Sequence, residues 1–140
     1  MPRVTLVVLF NDNNEVLLAM KKRGHGAGKW NGFGGKPDGD ETVLQTAVRE
    51  LYEESGVSLQ ETELQKCGLL HFIFDEQSHL SKDCYVFKAK YNGSFQETDE
   101  MAPKRRKLDN IPYHEMRKDD EIRFKQVLDG TQFDITKYCK

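Results

Sequence analysis

Three glutamates, Glu50, Glu53 and Glu54, fall within five consecutive positions. On a helix they stand at i, i+3 and i, i+4, so all three carboxylates are expected on one face, away from any apolar stripe. Left unpaired, each like-charge pair costs roughly a few tenths of a kcal/mol. A hard divalent cation reverses the sign. Mg²⁺ takes carboxylate oxygens, keeps several waters and is commonly shared with substrate phosphates. A solvated acidic face is the plainer reading of a glutamate run, and the three carboxylates alone leave both open. Their neighbours favour the cation. Gly34 and Gly35 allow backbone to approach a ligand or metal closely. Arg49 can hold a carboxylate in place through charge-assisted hydrogen bonds. Lys21, Lys22, Arg23, Lys29 and Lys36 supply positive charge on the preceding loops, as a phosphate chain requires, although a solvated basic loop would look the same.

The elements that must position these groups follow from periodicity and turn residues. Val43, Leu44, Ala47, Val48 and Leu51 recur at helical spacing and make one apolar stripe. Asp40 and Glu41 put acid at the positive end of that helix, and Gly56 stops it. Val4 to Phe10 and Val16 to Met20 read as a hairpin joined by the Asn11–Asn14 turn. Leu69 to Phe74 and Cys84 to Lys90 read as strands separated by a polar loop, Asp75 to Lys82. A second, short helix is expected over about Glu121 to Leu128, capped by Asp119 or Asp120 and ended by Gly130. Strands mixed with two helices, and no repeat or linker, predict one α/β domain over residues 1–140 with a mixed sheet.

Composition narrows the function classes. The chain has 140 residues, 31% of them charged, with a formal net charge of −2. That is a globular balance, with no general basic field to draw the molecule to nucleic acid or membrane. Three cysteines, Cys67, Cys84 and Cys139, are far apart and lack CxxC spacing, so free thiols in a reducing compartment are expected. The N-terminal apolar run ends at Phe10 without a cleavage pattern and reads as a strand. The cytosol or an equivalent compartment is expected.

The stretch from Gly35 to Val57 then matches one pattern throughout. Gly35, Glu41, Arg49, Glu50, Leu51, Glu53, Glu54, Gly56 and Val57 occupy its nine fixed positions over 23 residues. This resembles the Nudix box, G-x5-E-x7-R-E-U-x-E-E-x-G-U with U a bulky aliphatic. The resemblance implies the Nudix fold, an α/β/α sandwich around a mixed sheet, and hydrolysis of nucleoside diphosphates linked to another group. It also implies Mg²⁺, or Mn²⁺, held by Glu50, Glu53 and Glu54 with the Gly34 carbonyl. Glu53 or Glu54 would handle the proton of the attacking water, Arg49 would orient the glutamates, and Glu41 would support them.

Similarity to the MutT-type branch extends beyond the box, over about residues 3 to 128, through KKRGHGAGKWNGFGGK, ETDEM and LDNIPYHEM. By that resemblance Asn31, Asp119 and Asp120 read the base, the two carboxyls sharing a proton so as to donate as well as accept. Thr5, Phe72 and Phe74 match pocket walls, with simple core an equal reading for the two phenylalanines. Lys21 matches a position near the phosphates, and Glu100 an acid near the metal. The implied substrates are oxidised purine nucleoside triphosphates such as 8-oxo-dGTP, cleaved to the monophosphate and pyrophosphate by a monomer that binds no nucleic acid stably.

The chain also departs from that branch. Arg105, Arg117 and Arg123 stand where such members carry tryptophan, and His25 where they carry phenylalanine. An arginine at 117 can still stack on a base, but its charge must be paired, and Asp119 and Asp120 are the available partners. These changes keep other substrates open: a canonical nucleoside triphosphate, a dinucleoside polyphosphate or a capped RNA end. A Nudix-fold binding module without catalysis is the remaining alternative. Pro103 to Asp109, PKRRKLD, reads as a solvated edge strand, as a short basic import signal, which would bring the protein into the nucleus, or as added contacts to phosphate or RNA; presence in mitochondria is a further alternative.

Overall fold

The computed structural model describes residues 2–24, 26–76, 78–130 and 132–139, without the side chains of Ser78 and Cys139. His25 lies outside the described residues, as does the thiol of Cys139. Strand β1 (Arg3–Phe10) and strand β2 (Glu15–Lys21) pair antiparallel beside the Asn11–Asn14 turn, with Leu9 opposite Leu17. The short β3 (Trp30–Asn31) pairs with β2 at Ala19 and Met20, and Phe33 bridges back to Val7. Helix α1 (Val43–Ser55) follows. Strands β4 (Gln65–Phe74) and β5 (Lys82–Lys90) make a second antiparallel pair. Strand β6 (Met101–Lys107) pairs antiparallel with β2, and helix α2 (Lys118–Asp129) precedes β7 (Phe133–Cys139), which runs parallel to β4.

One seven-stranded mixed sheet results, ordered β3-β2-β1-β5-β4-β7 with β6 on β2. Strand alternation gives it two apolar faces. Val7, Leu9, Leu17 and Phe33 bury one face against Ala47 and Leu51 of α1. Leu6, Val8, Leu70, Phe72 and Val86 bury the other against Phe124 and Val127 of α2. The α/β/α sandwich expected from the sequence is the observed fold.

Helix α1 begins where its chemistry directs. The Thr42 side chain accepts from the Gln45 N–H at 3.0 Å, and the Gln45 side chain accepts from the Thr42 N–H at 2.9 Å. This reciprocal box satisfies two N-terminal donors. Gly56, in the left-handed region at φ 75°, closes the other end.

Several expectations are corrected. Asp119 and Asp120 do not cap α2. Arg117 is the residue before the first turn, with no side-chain capping bond, and both aspartates lie inside that turn and are buried. Strands β4 and β5 begin earlier than expected, so Lys82 is in the sheet and not in the loop. The basic stretch forms strand β6, as the edge-strand reading expected, whereas β7 was not among the expected strands. No helix among the described residues is long and apolar enough to cross a membrane.

Candidate active site

The three glutamates do not share one solvated face. Glu54 follows Ala47 and Leu51 along the apolar stripe and is only 6% exposed, while the Glu53 side chain is 51% exposed and Glu50 lies between. The expected common face is therefore a fan from core to solvent, because i+3 and i+7 from buried positions return toward the core. Burial pushes the Glu54 carboxyl up to about 8, with the charges of Glu50 and Glu100 adding to it. Gly34 N–H donates to Glu54 Oε1 at 2.9 Å and opposes the rise. Burial likewise raises Glu50, against the pull of Arg49.

Arg49 holds this group together. Its Nε donates to Glu41 Oε2 at 2.8 Å and its Nη2 to Glu41 Oε1 at 2.9 Å, a two-point grip. Its Nη1 donates to Glu50 Oε1 and to Glu53 Oε1, each at 2.8 Å. The grip from Arg49 draws Glu41 down to about 2. Glu41 thus anchors the guanidinium, and the guanidinium aims two glutamates.

The glycines pack against this cluster. Gly34 and Gly35 follow Phe33 beside β1, where Thr5 N–H donates to the Gly35 carbonyl at 2.9 Å and Thr5 Oγ1 lies 3.2 Å from both the carbonyl and the N–H of Gly35. A Cβ at Gly34 would stand 1.9 Å from the Thr5 carbonyl oxygen, and one at Gly35 would stand 2.6 Å from Glu50 Cδ. At Gly34 only glycine fits against the strand backbone, and at Gly35 a side chain would have to displace Glu50.

These residues border a cavity of about 300 Å³. Thr5, Lys21, Asn31, Gly34, Gly35, Glu54, Arg117 and Asp120 all line it. Asn31 Oδ1 accepts from the Gly32 N–H at 2.8 Å, which fixes the amide. Other expected residues fall elsewhere. Phe72 and Phe74 do not line the cavity: Phe72 is fully buried in the core beneath Lys82 and Arg123, and Phe74 packs against the same core. Position on an inward-facing strand row decides this for core. Glu100 is not on the lining. Arg23 Nε donates to it at 3.0 Å and, with a second bond at 2.5 Å, holds its carboxyl below the ordinary value. Asp119 is also absent from the lining, with its carboxylate 2.9 Å from Lys82 Nζ. Burial pushes that carboxyl up, but the charges of Arg123 and Lys82 outweigh it and hold it below the ordinary carboxylate value. Each aspartate has its own cationic partner, Asp119 with Lys82 and Asp120 with Arg123.

Lys82 and Arg123 line the cavity and are functional candidates that site assignment from sequence missed. The available signal was the parallel pairing of β1 with β5, which puts Lys82 next to the Asp83–Arg3 pair and so near Thr5.

The matching family model is the NUDIX domain, over residues 1–129. The chain belongs to the Nudix family. It is 43% identical over 132 residues to the oxidized purine nucleoside triphosphate hydrolase of Danio rerio, covering 94% of this chain and 83% of that protein. The protein of the same name from Mus musculus is 42% identical over the same shares. Among solved structures, a MutT protein from Bacillus halodurans superimposes with a TM-score of 0.79 at 28% identity, over 99% of this chain and 90% of that one. The NUDIX domain of Shewanella oneidensis NrtR, complexed with ADP ribose, gives 0.78 at 19% identity, over 93% and 88%, and shares the fold.

Nudix hydrolases use divalent metal ions. The donor set here suits one: Glu54 is a buried carboxylate whose charge is unfavourable without a cation, and Gly35 leaves room for Glu50 beside it. Among the described residues no three acids already form a cage, because Glu50 and Glu53 are turned to Arg49.

Proposed function

We propose that the protein hydrolyses oxidised purine nucleoside triphosphates such as 8-oxo-dGTP to the nucleoside monophosphate and pyrophosphate, clearing damaged nucleotides from the pool. One observation carries the reading. A buried Glu54, beside a glutamate pair aimed by Arg49, borders the same cavity as Lys21 and the fixed amide of Asn31. The names of the 42–43% identical relatives support the substrate class.

Glu50, Glu53 and Glu54, with the Gly34 carbonyl, would hold Mg²⁺ or Mn²⁺, which neutralises phosphate oxygens and lowers the pKa of a bound water. The rest is the work of this chain. Lys21 meets phosphate charge. Asn31 and Asp120 orient the base, and Arg117 covers it. Glu53 or Glu54 takes the proton as the water oxygen bonds to phosphorus, the anhydride P–O bond breaks, and pyrophosphate leaves. Arg49 keeps the glutamates in place throughout. Glu100 lends negative charge near the site once Arg23 releases it.

Residues 1–140 act as one domain, since β7 lies beyond the family match yet completes the sheet. The protein works as a monomer in the cytosol and binds no nucleic acid stably. The test is product analysis by ion exchange with Mg²⁺ and 8-oxo-dGTP, 2-oxo-dATP, dGTP, a dinucleoside tetraphosphate or capped RNA. Monophosphate plus pyrophosphate, released fastest from an oxidised purine, is expected. Faster cleavage of a dinucleoside tetraphosphate would favour a hydrolase of dinucleoside polyphosphates instead.

A further inference from the structure

One wall of the cavity is built from charges that take no part in the bond-breaking step. Lys82 Nζ lies 2.9 Å from Asp119 Oδ2, Arg117 Nη2 3.6 Å from Asp119 Oδ1, and Arg123 Nη2 3.9 Å from Asp119 Oδ2. Arg123 also pairs with Asp120 and donates to Cys84 Sγ at 3.3 Å. Three cations therefore meet two carboxylates, and the cluster keeps one positive charge. Lys82, Arg117, Arg123 and Asp120 line the cavity, whereas Asp119 does not. Asp119 is a counter-ion, and the surface offered to a ligand is mainly N–H donors. Arg123 is 5% exposed, and its Nε has no hydrogen-bond partner among the described residues.

We propose that Lys82, Arg117 and Arg123 form a donor wall that selects nucleobases by their carbonyl oxygens, admitting oxopurines and refusing adenine, which presents an amino group and no carbonyl. This rests on the reading of the cavity as a nucleotide site. The charge balance favours a neutral carbonyl over a second phosphate. A terminal phosphate brings a charge of about −1.5 to −2, more than the single positive charge left over. A carbonyl relieves the excess without displacing Asp119. Burial, and after it the charge of Arg123, already lowers Lys82, so an acceptor at its ammonium is favourable. Set against Lys82, Arg117 and Arg123, an adenine amino group would face donors with a donor and leave them unpaired, and the Asp120 carboxylate on the same wall is already engaged by Arg123; such a mismatch discriminates strongly between substrates.

The test measures binding, so it does not depend on turnover. Non-hydrolysable α,β-imido analogues of 8-oxo-dGTP, dGTP and dATP, and of a dinucleoside tetraphosphate, are titrated calorimetrically into the full chain with Mg²⁺. The wild type should bind both guanine-type analogues at least about tenfold more tightly than the adenine analogue. Lys82→Met should lose about tenfold for the guanine-type analogues and nothing for adenine. Arg117→Met, which also uncovers the base, should weaken every analogue but the guanine-type ones most, and Lys82→Arg should keep the preference. Asp119 keeps two cations in each single variant, and a thermal melt checks folding. Equal losses for all bases, no base preference in the wild type, or the tetraphosphate being the ligand most weakened would each overturn the wall. Selective binding without hydrolysis of oxidised purines would sink the hydrolytic reading and leave the wall standing. Hydrolysis with unselective binding would do the reverse, and no nucleotide binding at all would overturn both.

Discussion

Glu54 holds its carboxyl almost fully buried at the edge of the cavity. Its proton affinity is pushed from an ordinary 4.5 to about 8 by burial. Between those two values the folded chain keeps a proton that the unfolded chain has released. The stability this contributes is complete below pH 4.5 and is lost as pH rises through about 8. Metal-free protein should therefore melt at progressively lower temperature between pH 5 and pH 8.5, by an amount worth on the order of a few kcal/mol. Glu50, shifted in the same direction, adds to the slope. Glu54→Gln removes the main titrating group and should flatten it. Added Mg²⁺ should raise the melting temperature of the wild type most at high pH, where the carboxylate is free to bind, and much less in the glutamine variant. Turnover in that variant should fall by about 10²–10⁴. A pH slope that survives the substitution would show that another group carries it.

At the scale of elements, the site depends on how closely the Gly34–Gly35 segment approaches both β1 and α1. The two glycines are predicted to fail differently. In Gly34→Ala the new Cβ meets the Thr5 backbone carbonyl at 1.9 Å, so segment and strand must separate, and the melting temperature should drop by several degrees. In Gly35→Ala the obstacle is the end of the Glu50 side chain at 2.6 Å, which can swing aside. That variant should fold but bind Mn²⁺ about 10–100-fold more weakly by titration calorimetry. Wild-type metal affinity in Gly35→Ala would remove Glu50 from the ligand set. Helix α1 was readable because everything it needs is local: a stripe, the Thr42–Gln45 start and Gly56. The burial of Glu54 follows from the same periodicity carried one turn further. The donor wall was not readable, since Lys82, Arg117 and Arg123 meet only through the β1–β5 pairing and the docking of α2. Asp119 and Asp120 looked like a cap because nothing local shows that α2 already starts at Lys118, and their partners Lys82 and Arg123 come from a distant strand and from the next turn.

Across the whole molecule, the sheet separates two kinds of work. The α1 face carries the glutamates and the α2 face carries the charged wall, and β1 links them, with Thr5 bonded to Gly35 and Arg3 paired to Asp83 next to Lys82. The α2 side therefore needs β4 and β5 to stay in register, and β4 has β7 as its outer neighbour from Gly68 to Phe74. Phe133 and Ile135 pack against the α2-side core, and Gly68 has no side chain because Phe133 occupies the space, 2.4 Å from where a Cβ would stand. Ending the chain at Gly130 would remove both side chains and expose the β4 edge, although the family match itself stops at residue 129. Burial of two such side chains is worth about 3–5 kcal/mol, so the truncated protein should melt about 10 °C lower or more. It should also self-associate through the uncovered strand, as light scattering would show. Base preference should weaken more than metal affinity, because the wall stands on the β4–β5 side and the glutamates do not. A truncated chain with an unchanged melting temperature and base preference would confine the functional domain to residues 1–130 and make β7 an appendage.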